Sequence, residues 1–300
     1  MTSNDGEISA SATAAPMVDR VPPQLFFVGS AVFHYLGPSF AVLLFARVPV
    51  GGVAWLRIVS AAVVFAVWRR PWRAVLASPA PQVRVLTVLL GGVFATMNYS
   101  FYVAIDRLPL GTVAAIEFVG PLVLTLWASR TARNLAAVTL GAVGVALLTD
   151  VQLDVDPPAL VWAFANAALF TAYVVLAHRV AQVDDATSPI DRLGAAMLVA
   201  GLVITPLGLA DAAPALGDPV ALFAGIGVGL SSSVVPYVLD QLAMARISRG
   251  TYALFVALLP ATAVVVGLVV LAQVPTAVEL AAVGLVIGGV LVHRDPGSVA

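Results

Sequence analysis

The chain has 300 residues, of which 61% are hydrophobic and 10% charged, with a mean hydropathy of +1.01. Soluble domains carry about 25% charged residues, so this composition excludes an ordinary soluble fold and indicates an all-α polytopic membrane protein. The net charge of -1 argues against nucleic acid as a partner, and the lack of cysteine rules out disulfide frameworks and thiolate metal sites.

Residues 1–23 are small, polar and acidic, without the charged start and apolar core of a secretory signal, and are expected to form a disordered cytoplasmic tail. Ten apolar runs follow, at residues 24–46, 51–68, 85–105, 109–128, 134–149, 158–177, 193–210, 219–240, 250–272 and 277–293. Their lengths suit helices that rise about 1.5 Å per residue across roughly 30 Å of hydrocarbon, although the fifth is short. The intervening loops are brief and carry turn chemistry: RRPWR at 69–73, Pro157-Pro158, Asp218-Pro219 and Pro275. No soluble domain is inserted.

Cytoplasmic flanks of membrane helices hold the excess of positive charge. Numbering the loops alternately, one side collects Arg20, Arg69, Arg70, Arg73, Arg84, Arg130, Arg133, Arg179, Arg192, Arg246, Arg249 and Arg294, and the other only Arg47 and Arg107. Both termini are therefore expected in the cytoplasm. The opposite loops are assigned Asp150, Asp154, Asp156, Asp211 and Asp218.

The stretch from Asn98 to Pro121, NYSFYVAIDRLPLGTVAAIEFVGP, departs most from bilayer composition and has a faint echo further on. A shift of 139 residues lays Leu108 to Thr112 over Ile247 to Thr251, Ala114 over Ala253 and Pro121 over Pro260. Ten spans in two copies give five each, and an odd number of crossings inserts the second copy upside down. The expected units are a first five-helix repeat at residues 24–149 and a second at 157–294. Inverted repeats with a site near the midplane are a common construction of secondary transporters.

Polar side chains within the spans are the candidate site. Asn98 and Tyr102 share a helix face with Gly91 and Ala95; the amide either serves a site or bonds to a neighbouring helix. Glu117 lies about eight residues into its span, where a carboxylate is costly and faces a wet cavity or a partner. Pro121 removes the hydrogen bond to the carbonyl of residue 117, and Pro260 does the same to Val256. In the eighth span Ser233, Tyr237 and Asp240 share a face, and Pro236 releases the carbonyl of Ser232. Arg57 is open to three readings: a counter-charge for Glu117, an anchor for a substrate carboxylate, or a side chain snorkelling to the interface. Asp240 lies near the cytoplasmic end of its span, within reach of Arg246. His34 reads as a packed residue. Asn98, Tyr102, Glu117, Ser233 and Tyr237 are expected to line one water-accessible space. No HExxH, Ser/Lys pair or cluster of histidines suggests an intramembrane enzyme, and no metal or cofactor is expected.

The run NYSFYVAIDRLPLGTVAAIEFVGPL resembles the signature of the inner-membrane threonine and homoserine exporters, within the EamA-type drug/metabolite transporter superfamily. Gly37, Ser39, Ala41, Leu56-Arg57, Ser129-Arg130 and Pro236-Tyr237 extend the resemblance over nearly all of residues 25–294. It implies two inverted EamA repeats in a bacterial inner membrane. It also implies export of a small polar metabolite from the cytoplasm against protons: an amino acid such as threonine or homoserine, or alternatively a nucleobase, drug or other amino acid. Tyr99 and Tyr252 join the residues expected to bind substrate, with Arg57, Glu117 and Asp240 handling charge. Relatives often carry lysine at Val42, glutamate at Leu259, glycine-glutamate at Ala272-Gln273 and glutamate at Asp240, so three charged positions of the family are neutral here.

Overall fold

The computed structural model describes residues 22–128, 130–153, 156–183, 187–244 and 259–292, and these are helical apart from short connections. The helices are α1 (Pro23–Leu44), α2 (Val50–Arg69), α3 (Pro71–Ala77), α4 (Pro81–Ile105), α5 (Leu110–Ala128) and α6 (Ala132–Leu153). They continue with α7 (Pro157–Gln182), α8 (Pro189–Gly217), α9 (Pro219–Gly229), a π-turn (Leu230–Val234) leading directly into α10 (Val235–Met244), α11 (Leu259–Leu271) and α12 (Ala277–Val292). Six of these helices open on proline, which is preset for helical φ and has no N–H to leave orphaned. Asp156 and Asp218 cap two of them, accepting from the N–H of Ala159 and from those of Val220 and Ala221.

Among the described residues, six helices are long and apolar enough to cross a bilayer, and four shorter apolar helices accompany them. Side chains such as Val67, Leu202, Phe223 and Val269 point outward and are exposed. In a bilayer that surface meets lipid rather than water.

Three boundaries differ from expectation. The RRPWR segment is not a plain turn, because Arg70 adopts a left-handed conformation (φ 50°) and Pro71 restarts a short helix, α3. Asp211 lies inside α8 and Asp150 inside α6, not in loops. Both helices outrun their most hydrophobic segments; in α8 the extension is alanine-rich, a composition that sustains a helix without strong hydropathy. Residues 1–21, with most of the expected tail, lie outside the described residues, as do Tyr252 and Val256.

The main packing pairs have an internal regularity. α2 packs on α8, α5 on α11 and α6 on α12. α4 packs on both α7 and α8, while the α9 to α10 segment packs on both α1 and α2; α5 meets α7 as α1 meets α11. Exchanging α1, α2, α4, α5 and α6 with α7, α8, α9–α10, α11 and α12 leaves this set of pairs unchanged. The α2–α8 contact is close, because a Cβ at Gly52 would come within 2.3 Å of the Asp211 carbonyl oxygen.

Candidate functional site

Arg57 projects from the second turn of α2 and is only 4% exposed, so it does not snorkel to the interface. Its Nε donates to Ser233 Oγ at 2.9 Å and its Nη2 to the Ser232 carbonyl at 3.2 Å. The local sequence explains the second bond. Pro236 has no N–H to offer the carbonyl four residues earlier, and the backbone there relaxes into the π-turn, closed by Val235 N–H donating to the Leu230 carbonyl. The Ser232 carbonyl, expected to be free, is taken by the guanidinium. Ser232 itself fits against α1 because position 37 is glycine: a Cβ there would stand 2.0 Å from Ser232 Oγ.

Tyr102 completes the cluster, with the Arg57 Cζ 5.2 Å from its ring centroid, a cation–π contact. Tyr102 and Ser232 are both fully buried, yet Tyr102 Oη and Ser232 Oγ have no hydrogen-bond partner. The guanidinium meets the ring of one residue and the backbone carbonyl of the other. Ion pairs among the described residues join Arg47 to Asp218 at 3.2 Å, Arg69 to Asp191 at 2.9 Å and Arg107 to Asp156 at 3.3 Å. None involves Arg57, which is a buried cation held by neutral oxygens with two idle hydroxyls beside it.

Glu117 was expected either in a wet cavity or with a partner. It is half-buried in α5, and its Oε2 accepts from Asn166 Nδ2 of α7 at 2.9 Å. Glu117 and Arg57 form no contact ion pair among the described residues, where Arg57 is committed to the acceptors of the π-turn.

Asn98 is 2% exposed and donates to the Phe94 carbonyl of its own helix at 2.7 Å, not to a neighbouring helix. Tyr237 is buried between α1 and α4, its ring 5.4 Å from His34 and 5.6 Å from Phe94. Tyr99 does not join this group. It turns toward the N-terminal end of α7, against Trp162 at 6.1 Å, on a different face of its helix from Asn98 and Tyr102. Of the five residues expected to line one wet space, Asn98, Tyr102, Ser233 and Tyr237 are packed, and Glu117 alone keeps appreciable accessible surface.

Pro260 is buried at the start of α11, while Tyr252 lies outside the described residues. Pro121 and Asp240 belong to α5 and α10, and their side chains lie outside the described set. Among the described residues no group of three or more histidine, aspartate or glutamate side chains is placed to hold a metal ion.

Two neutral positions acquire a structural account. Gln273 Oε1 accepts from the Leu110 N–H, capping the first turn of α5 from the α11–α12 connection. Ala272 stands at φ 53°, a left-handed conformation that glycine adopts freely. Val42 and Leu259 pack on the main apolar core.

Asn166 and Ser232 escaped the sequence reading as site residues. Asn166 is a lone amide in an apolar span, the same signal that singled out Asn98. Ser232 sits in a run of three serines, where nothing local distinguishes the one facing Arg57.

These helices, six of them among the described residues long and apolar enough to cross a bilayer, are those of a multi-pass membrane protein. A model of the EamA-like transporter family matches residues 157–293. The threonine/homoserine exporter RhtA of Escherichia coli (strain K12) is 30% identical over 255 residues, covering 84% of each chain. RhtA of Salmonella typhimurium (strain SL1344) is 28% identical over 269 residues, covering 87% of this chain and 88% of the relative. A crystal structure at 18% identity aligns with a TM-score of 0.55 over 90% of this chain and 96% of the other, a likeness of fold. The chain belongs to the threonine/homoserine exporter family of EamA-type transporters, in the drug/metabolite transporter superfamily.

Proposed function

We propose that this protein is a secondary active exporter that moves small polar metabolites, foremost amino acids such as threonine and homoserine, out of the bacterial cytoplasm in exchange for protons. The observation that carries this reading is Arg57: a buried guanidinium without a carboxylate among its described partners, flanked by the idle hydroxyls of Tyr102 and Ser232. A buried cation with spare donors is arranged to receive a carboxylate, which would supply the missing charge and accept from both hydroxyls. Glu117, set within a span and retaining accessible surface, is the candidate to gain and lose the proton. In this reading Asn98, Tyr237, Pro236, Pro121 and Pro260 shape the path around these two charges, Tyr99 and Tyr252 are assigned to substrate binding, and Asp240 to charge. The relatives' names point to the same class of cargo.

The reading includes ten membrane spans in two inverted five-helix EamA units. The packing pairs that survive exchange of the two sets of helices support it, as does the family match over the second set alone. Both termini face the cytoplasm of the inner membrane. In support, Arg47 pairs with Asp218 and Arg107 with Asp156, joining loops assigned to the outer side, while Arg69 pairs with Asp191 among those assigned to the inner side.

Counterflow into proteoliposomes tests the proposal. Preloaded threonine or homoserine should drive uptake of labelled threonine, and Arg57→Gln should abolish it. A panel in which only a nucleobase or drug supports counterflow would overturn the amino-acid assignment.

A further inference from the structure

Asn166 is 1% exposed, at the middle of α7, and its amide is used on one side only. Nδ2 donates to Glu117 Oε2 at 2.9 Å, while Oδ1 is buried without a hydrogen-bond partner. When Glu117 is ionised its carboxylate only accepts, so the NH2 end of Asn166 faces it and the carbonyl end turns away. A buried amide oxygen without a donor is costly, and a membrane interior supplies no water to satisfy it cheaply. The bond to Glu117 accounts for the NH2 end of the amide and leaves its oxygen without a role.

The two idle groups around Arg57 differ from this one in sign. Tyr102 Oη and Ser232 Oγ are hydroxyls beside a cation; Asn166 Oδ1 is an acceptor beside a carboxylate. The described polar groups thus form a donor-rich set around Arg57, on α2, α4 and the π-turn, and an acceptor-rich set at Glu117 and Asn166, on α5 and α7. We infer that Asn166 is a specificity-determining residue, its Oδ1, held in place by Glu117, receiving an N–H of a substrate ammonium group. The inference rests on the exporter reading above and assigns the second end of the same site. A substrate with a carboxylate but no amine would satisfy Arg57 and leave Asn166 Oδ1 orphaned. Sites built around such a hydrogen bond reject the analogue lacking it strongly, whereas apolar pockets discriminate weakly.

The test compares threonine with 3-hydroxybutyrate, which is threonine without its amino group, as ligands of the purified full-length protein by calorimetric titration. Wild type should bind threonine at least about 10-fold more tightly. Asn166→Leu should lose about 10-fold or more in threonine affinity while 3-hydroxybutyrate binding changes less than about 2-fold, so that the discrimination collapses. Retained 3-hydroxybutyrate binding certifies the fold, and Asn166→Ser, smaller and still polar, should show the same pattern if the leucine variant does not accumulate. Wild-type indifference to the amine overturns the inference without any variant, as does equal loss of both ligands. If 3-hydroxybutyrate binds and only Arg57→Gln abolishes it, with Asn166 variants indistinguishable from wild type, the inference fails and the exporter reading stands. If neither ligand binds wild type, both fall.

Discussion

Arg57 Nε donates to Ser233 Oγ at 2.9 Å while its Nη2 reaches the neighbouring Ser232 carbonyl at 3.2 Å, so one side chain of α2 holds two adjacent residues of the π-turn ahead of Pro236. Removing the guanidinium should strand a buried carbonyl and hydroxyl, so Arg57→Gln should destabilise the protein by about 1–3 kcal/mol. Pro236→Ala returns an N–H to the Ser232 carbonyl, and Arg57→Gln should then cost measurably less stability. Thermal unfolding of the two single variants and the double in detergent reads this coupling; strict additivity would disconnect Arg57 from the proline. Transport should stay lost in the double variant, since the carboxylate anchor is still missing.

Glu117→Gln separates coupling from architecture. The amide keeps an acceptor for Asn166 Nδ2, and because Arg57 is bonded elsewhere, no buried ion pair is broken. Stability should change by less than about 1 kcal/mol. Export driven by a pH gradient in inverted vesicles should collapse, whereas substrate exchange survives because it needs no net proton transfer. Retained gradient-driven transport would remove Glu117 from the proton path.

Topology is checked by reporter fusions. Fusions near Asp154 should report the periplasm, and those near Arg70 and Arg179 the cytoplasm. A cytoplasmic signal at Asp154 would end the five-plus-five inverted reading.

Ala272 occupies a left-handed backbone conformation that costs an L-residue roughly 1 kcal/mol and glycine almost nothing. Ala272→Gly should therefore raise the melting temperature. Gln273→Leu should lower it, by leaving the Leu110 N–H without its cap. Neither should alter which substrate is carried, and a change in substrate preference at Gln273 would return that position to the site.

The Ala221 N–H holds the Asp218 carboxyl below its ordinary value; desolvation, the next effect in size, opposes it, and the Val220 N–H and Arg47 add to the lowering. A depressed carboxyl stabilises the folded state above its unfolded pKa of about 3.9, and that contribution disappears as pH falls through the lower folded value. Wild type should thus lose stability relative to Asp218→Asn on acidification below about pH 4, and show an advantage above it. Melting curves of both proteins between neutral and acid pH provide the comparison.

Membrane class, most span positions and the family were legible in the sequence, because partition into a bilayer is a property of each residue and sums along the chain. Turn chemistry at Pro157 and Pro219 marked the starts of α7 and α9, whereas α4 and α8 begin at Pro81 and Pro189, ahead of the apolar runs that the sequence shows. Pro236 announced a freed carbonyl at Ser232, since a missing N–H acts on its own helix. What occupies that carbonyl could not be read, because Arg57 lies 175 residues away and only helix packing brings it there. The same holds for Glu117, whose partner Asn166 is one amide among several until α5 and α7 are placed side by side. A buried polar atom must be satisfied, so the sequence alone determined that these side chains would need partners. Tertiary structure decided which groups meet that need and which, like Asn166 Oδ1, Tyr102 Oη and Ser232 Oγ, stay unpaired at the centre of the protein.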